Sequence, residues 1–395
     1  MKKRNIIFII VYLAYTSIYI ARLNLSVATP GLQDPAMMNT VLTSGQIGML
    51  GAAFSCVFAI GRFINGSIAD KQPPWVMIST GLAIAGISNI AVGFFPPFVG
   101  MMVLWMCNAF AQSMLWSSVL CVVSSLYEPG KAKTMASYMV TSVATGNILA
   151  ILVNSYIISK FGINFAFIIP GCIVLVLGFF VLVSTKKIKA PNGDSAEHMP
   201  ITELLKNKQI RLTMIPTFLH GIIKDNVSFW MVAYFVATYS VNLKESALFV
   251  LFIPIIGLVG RLLYPFCSMM FNHNEYKIGM LAFLICGVAA VPLLFGSSIG
   301  VIVAVVALSL IYAATSVINT AFVSIFPIRY IETGNVASLS GLFDLATYMG
   351  AGFGSFVYGF VIDHFGYSPM YISWVAISVI SIALLSGLLK MGRKA

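Results

Sequence analysis

Three positions place ionisable side chains inside long apolar runs, and their neighbours share their faces. Tyr12, Tyr15, Tyr19, Arg22 and Ser26 recur at intervals of three and four, so a helix there lines up hydroxyls and a guanidinium in one stripe. Lys224 has His220 four residues before it, and Ser228 and Met231 continue that face. Asp225 is turned away by about 100° on a helix, so pairing with Lys224 does not follow from the spacing. Asp344 has Tyr348 four residues on, in an otherwise uncharged neighbourhood. An arginine offers a planar donor fork for phosphate or carboxylate oxygens, and a lysine a compact charge. Two such cations in one cavity attract an anion and repel each other when empty, which is the electrostatic logic of obligatory exchange. A carboxylate protonated in only one state would instead couple movement to protons. No nucleotide-binding loop, metal cluster or nucleophile constellation accompanies these groups, so no enzyme, cofactor or resident metal is expected.

Composition says which elements must hold them. Of 395 residues, 59% are hydrophobic and only 9% charged, against roughly 25% charged in soluble chains. That charge cannot hydrate the surface of such a chain, so lipid is its main solvent. The runs are too long and unbroken for membrane β-strands and suit helices of about 20 residues. The net charge of +11 does not form a basic stripe with aromatic platforms, so no nucleic-acid partner is expected. All six cysteines lie in apolar segments without metal-ligand spacing. The basic start, Met1 to Arg4, precedes a run without a cleavage site and reads as an uncleaved first helix.

The apolar pattern predicts an all-α polytopic membrane protein with twelve spans, near 5–28, 45–69, 75–96, 99–126, 132–158, 163–185, 210–238, 245–271, 277–297, 299–327, 334–361 and 368–389. A polar stretch, 186–209, separates residues 1–185 from 210–395, giving two six-helix bundles and a linker. With the N-terminus inside, 17 Lys and Arg fall on the cytoplasmic side, 2 outside and 4 within spans (Arg22, Arg62, Lys224 and Arg261). This bias predicts a multi-pass inner-membrane chain with both termini cytoplasmic.

The halves echo each other. Gly61-Arg62 matches Gly260-Arg261, and NSYIISKFG in span 5 matches YGFVIDHFG in span 11. Repeats of this kind suggest bundles related about the membrane normal, with a cavity between them. Arg22 and Lys224, in the first span of each half, would then face one cavity. Tyr15, Tyr19, His220 and Tyr348 are candidate orienting donors. Polar faces on span 4 (Trp105, Asn108, Gln112 and Trp116) and span 10 (Tyr312, Ser316 and Asn319) could line the same space or join helices. Asp70 and Lys71, with Arg62 two turns earlier, form a cluster expected to gate or brace on the cytoplasmic side. Asp344 and Asp225 are candidates for coupling.

The segment from Gly61 to Lys71, GRFINGSIADK, resembles the loop 2–3 signature of the major facilitator superfamily, with Gln72-Pro73-Pro74 in place of its second basic cluster. More narrowly, Tyr19, Arg22, Asn24, Ala28 and Pro30 resemble the Y-x-x-R-x-N-x-x-x-A-x-P pattern of the organophosphate:phosphate antiporters, which include glycerol-3-phosphate and hexose-phosphate transporters. Lys224, Asp225, Val227, Trp230 and Tyr234 are similar to their R-D-G-V-x-x-W-x-P-x-Y pattern, with lysine for arginine at 224, Asn226 for glycine and Val232 for proline. The resemblance implies the major facilitator fold, alternating access, and phosphate binding at Arg22 and Lys224. A histidine expected in span 5 is absent. The segment from Arg22 to Ala28 also resembles the R-x-N-L-S-V-A of anion/proton symporters in the sialic acid and vesicular glutamate group.

The expectation is therefore a secondary carrier of small organic anions, most simply an organophosphate exchanged for inorganic phosphate. Proton-coupled carboxylate symport is the alternative, and a transporter-like membrane sensor a third. A monomer surrounded by lipid is expected.

Overall fold

Lipid offers no partner for backbone N–H and C=O groups, so apolar runs of this length close their own hydrogen bonds as helices. In the computed structural model, described over residues 2–38, 40–69, 72–186, 188, 203, 205–333 and 336–392, thirteen α-helices do so. They are α1 (Lys2–Leu32), α2 (Ser44–Ala69), α3 (Pro74–Val92), α4 (Phe98–Ser113), α5 (Leu115–Leu126), α6 (Pro129–Phe161), α7 (Phe165–Thr185), α8 (Lys208–Tyr239), α9 (Leu243–Met270), α10 (Glu275–Leu293), α11 (Val301–Asn319), α12 (Val336–Phe365) and α13 (Ser368–Gly392). α4 and α5 meet at Met114 and make one span, so thirteen helices give the twelve expected spans. Eleven spans are apolar enough to cross a membrane by composition alone. The twelfth, α8, has ample length at 32 residues but carries Lys208, Arg211, His220, Lys224 and Asp225.

Two boundaries differ from the sequence reading. α1 runs through Pro30 to Leu32 rather than ending near 28, because a proline one turn from the end removes only one late hydrogen bond. Span 10 does not stop near 327. After Asn319 it widens into a π-helical turn, Thr320–Ile325, and then tightens into a 3-10 segment, Phe326–Thr333. The linker read over 186–209 lies largely outside the described residues.

The chain divides into two units. Unit 1 comprises Met1–Leu42, Ala53–Asp194 and Leu243–Leu248. Its core is built on one face of α1. Ile7, Val11, Ala14, Ile18 and Ala21 pack with Leu82 and Ala85 of α3, Val119 and Val122 of α5, and Val174 and Val181 of α7. Two asparagines tie the backbone of this core. Asn24 donates to Asn89 Oδ1 at 2.8 Å and to the Ala166 carbonyl at 3.1 Å, and Asn154 donates to the Ile20 carbonyl at 3.0 Å.

Unit 2 comprises Thr43–Ala52, Ser195–Asn242 and Phe249–Ala395. Its tightest seam joins α8 to α12. Gly221 lies directly against the Thr347 carbonyl, and Gly350 against that of Phe218, so neither position has room for a Cβ. Asn226 closes the seam by donating to the carbonyls of Ile222 at 2.9 Å and Ala351 at 3.3 Å and accepting from Ser355 Oγ at 3.0 Å. The departure from glycine at 226 thus acts as an interhelical tie.

Candidate functional site

In unit 1 the tyrosine and arginine stripe of α1 divides by function. The Tyr12 hydroxyl is 3.1 Å from both Thr141 and Thr145 of α6, so it joins helices. Tyr15 is buried between Trp116, at 5.1 Å between ring centroids, and Tyr19, at 5.8 Å. Arg22 sits among three rings, with its Cζ 4.1 Å from the centroid of Phe58, 4.9 Å from Phe54 and 5.7 Å from Tyr19. Phe54 and Phe58 are one turn apart on α2 and stack at 6.0 Å, and Phe54 continues to Trp105 of α4 at 5.6 Å. Ring contacts of this kind hold a cation through its charge.

Arg62 joins the same group. Its Cζ is 6.0 Å from the Phe58 ring that also meets Arg22, and Tyr15 lies within electrostatic reach of both guanidinium groups. The sequence reading assigned Arg62 to a cytoplasmic cluster with Asp70, which lies outside the described residues. The contact with Phe58 had a signal in the sequence. Phe54, Phe58 and Arg62 recur every four residues, so one face of α2 carries the rings and the cation together.

Beside the rings, α4 presents buried amides. Gln112 Nε2 donates to Asn108 Oδ1 at 2.9 Å. Asn108 Nδ2 and Gln112 Oε1 have no hydrogen-bond partner among the described residues. Buried groups of this kind are rare, and each calls for an explanation.

In unit 2, Lys224 meets Asp225, its immediate neighbour. Lys224 Nζ donates to Asp225 Oδ1 at 3.0 Å, with the lysine side chain 13% exposed and the aspartate 31%. The four-carbon stem of lysine spans the angular separation that made this pairing unexpected. The same ammonium is 5.6 Å from the centroid of Tyr348 on α12. Asp344 lies one turn before Tyr348 on α12. His220 is completely buried, and its Nε2 donates to the Thr315 carbonyl of α11 at 2.8 Å. That nitrogen is committed to joining α8 and α11.

Unit 1 therefore offers two guanidinium groups in an aromatic setting, and unit 2 an ammonium screened by a carboxylate. Among the described residues no group of three or more His, Cys, Asp or Glu could hold a metal ion.

The sequence pattern described as Major Facilitator Superfamily matches residues 7–332. The chain is similar to a probable hexose phosphate transport protein of Chlamydia muridarum, 23% identical over 66% of this chain and 63% of that protein. The match therefore spans less than two thirds of that relative's length. It is also similar to the phosphoglycerate transporter protein of Salmonella typhimurium (22% identical, over 90% of this chain and 82% of the relative). The glycerol-3-phosphate transporter of Bacillus subtilis is 23% identical, over 98% and 93%. Among solved structures, the nucleoside transporter NupG superposes with a TM-score of 0.79 at 16% identity, covering 99% of each chain.

Proposed function

We propose, because the chain belongs to the Major Facilitator Superfamily and carries these cations, that it is a secondary active carrier of small organic anions. The observation that carries this reading is the pair of guanidinium groups, Arg22 and Arg62, meeting the same ring of Phe58. In unit 1, Arg22 and Arg62 each contribute donors to the anionic group, and Lys224 is the cation that unit 2 contributes to transport. Tyr15, Tyr19 and Tyr348 border these cations and orient the substrate. Phosphate monoesters are the substrate class we favour. Two guanidiniums suit a dianion better than a lone carboxylate, and several relatives are named for phosphate esters.

Two couplings follow from the same site, and a specific observation favours each. Fixed cations favour exchange, in which the organophosphate leaves as inorganic phosphate enters. The Lys224–Asp225 pair favours proton coupling, in which a carboxylate takes a proton when the anion claims the lysine, with Asp344 as the second candidate. Counterflow in proteoliposomes separates them. Vesicles loaded with inorganic phosphate should take up labelled phosphate or organophosphate without a pH gradient if exchange operates. Uptake into anion-free vesicles driven by an acid exterior, and lost in Asp344→Asn or Asp225→Asn, identifies symport. Folded protein that moves no anion under either condition would falsify the carrier reading. Specific binding without flux would favour a sensor, the role named for the Escherichia coli membrane sensor protein UhpC, which is 27% identical over 180 residues, 45% of this chain and 40% of that protein.

A further inference from the structure

Unit 2 contains a cationic cavity, not lined by Lys224, that the carrier reading does not use. It has a volume of about 330 Å³ and is lined by Gln209, Asn274, Tyr276, Lys277, Arg329, Leu388 and Leu389. That volume lies at the lower end of small-molecule pockets, roughly 300–1,000 Å³. Four chain segments build it: the first turn of α8, the start of α10, the 3-10 segment after α11 and the last turns of α13. By the Lys and Arg distribution these ends face the cytoplasm, at the level of the lipid headgroups.

The lining is one-sided in its chemistry. Arg329 and Lys277 bring positive charge, and the amides of Gln209 and Asn274 bring N–H donors. Among the described residues no acidic one lines the wall. Arg329 is fixed from behind, where it pairs with Glu275, whose side chain is only 6% exposed, and it lies 5.3 Å from the Tyr276 ring and 5.4 Å from that of Phe326. One charge of the cavity is thus structural and neutralised by a buried carboxylate. Lys277 has no carboxylate on it among the described residues, so it supplies the net charge. Asn274 Oδ1 caps the α10 amide of Lys277 at 3.1 Å, which leaves its NH₂ as a donor. The two leucines and the tyrosine ring form an apolar wall beside these donors.

We propose that this cavity binds an anion bearing a phosphate group. Lys277 supplies the charge, Arg329, Gln209 and Asn274 supply hydrogen bonds, and Leu388 and Leu389 accept the apolar remainder. Two sources have this chemistry. One is the headgroup of an anionic phospholipid, for which basic pockets between helices at the cytoplasmic surface are suited. The other is free phosphate from the cytoplasm. The site is independent of transport at Arg22, so either proposal can fail alone.

The test uses the full chain. Native mass spectrometry with phosphatidylglycerol and phosphatidylcholine offered at equal concentration measures lipid retention. Equilibrium dialysis with radiolabelled inorganic phosphate, in an Arg22→Ala background, measures the free anion. We expect saturable binding in at least one arm, weakened at least tenfold in Lys277→Ala and recovered in Lys277→Arg, with lipid retention unaffected by Arg22→Ala. Preferential retention of phosphatidylglycerol assigns the site to lipid, and one phosphate per chain assigns it to the free anion. Arg329 is a poor first target because its loss strands the buried Glu275 charge. Absence of saturable binding in both arms overturns the proposal. So does binding that survives both Lys277→Ala and Lys277→Glu in protein with unchanged thermal unfolding.

Discussion

The Asp363 carboxylate caps the start of α2, accepting the backbone N–H of Ser44 at 2.7 Å through one oxygen and that of Gly45 at 2.6 Å through the other. The partners are more than 300 residues apart in sequence. Thr43 and Gln46 complete the cap reciprocally, with Thr43 Oγ1 accepting from the Gln46 amide at 3.1 Å and Gln46 Oε1 accepting from that of Thr43 at 3.0 Å. Three amides that a helix start leaves open are thereby satisfied, one of them locally and two by the far end of α12. Asp363→Ala should lower unfolding stability by about 0.5–2 kcal/mol, the usual worth of an N-cap. Asp363→Asn should lower it less. Thermal unfolding of both purified variants in one detergent gives the comparison, and an unshifted midpoint in the alanine variant would remove the cap from the stability account.

Arg22→Ala and Arg62→Ala should each weaken anion binding at least tenfold, since a hydrogen bond to a charged group contributes about 1.5–3 kcal/mol. Arg22→Lys should recover only part of that, because a point charge does not replace a planar fork. Scintillation proximity binding with labelled substrate ranks the three. An Arg62→Ala variant with wild-type affinity and altered flux would return Arg62 to a gating role.

Asp225→Asn should increase the apparent affinity for the anion, because substrate would no longer compete with a carboxylate for Lys224. Lys224→Ala should reduce it. If Asp225 serves charge screening during the empty return, Asp225→Asn should also slow turnover while KM falls. A rise in KM in that variant would mean that the aspartate orients Lys224 toward substrate instead.

The α8–α12 seam should tolerate no added carbon. Gly221→Ala and Gly350→Ala place a methyl group against main-chain carbonyls, and overpacking of this kind costs about 1–3 kcal/mol. Gly341→Ala, in the same helix as Gly350 but with nothing within 4 Å of the new carbon, should be close to neutral. Fluorescence-detected gel filtration after a heat step separates the two outcomes.

Much of this could be read before any coordinates. Lipid demands unbroken apolar helices, so the spans were legible as runs, and α8 was legible despite its charges because its length and position in the second half repeat those of α1. Arg22 was visible because Tyr15 and Tyr19 repeat on its face. Arg62 lies in a recognisable loop signature, which drew attention toward Asp70, whereas its contact with the Phe58 ring follows from the four-residue spacing on its own helix. The Lys224–Asp225 contact was missed because Cα geometry separates adjacent residues while a flexible lysine stem does not. His220 shared the face of Lys224 as expected, yet its ring nitrogen went to the Thr315 carbonyl, a partner on another helix that no periodicity reveals.

The wide turn at Thr320–Ile325 is a phase slip in an otherwise regular screw. Each extra residue accommodated in a turn rotates everything beyond it by about 100° relative to an unbroken α-helix. Thr315, which receives His220, lies before the slip, and Arg329, which pairs with Glu275, lies after it. Ser340 Oγ donates to the Val323 carbonyl at 2.7 Å, serving a group inside the slip. The two ends of this span are therefore geared separately. The membrane half takes its rotation from α8, and the cytoplasmic half takes its own from α10, so a wheel drawn through Ser316 and Asn319 says nothing about the direction of Arg329.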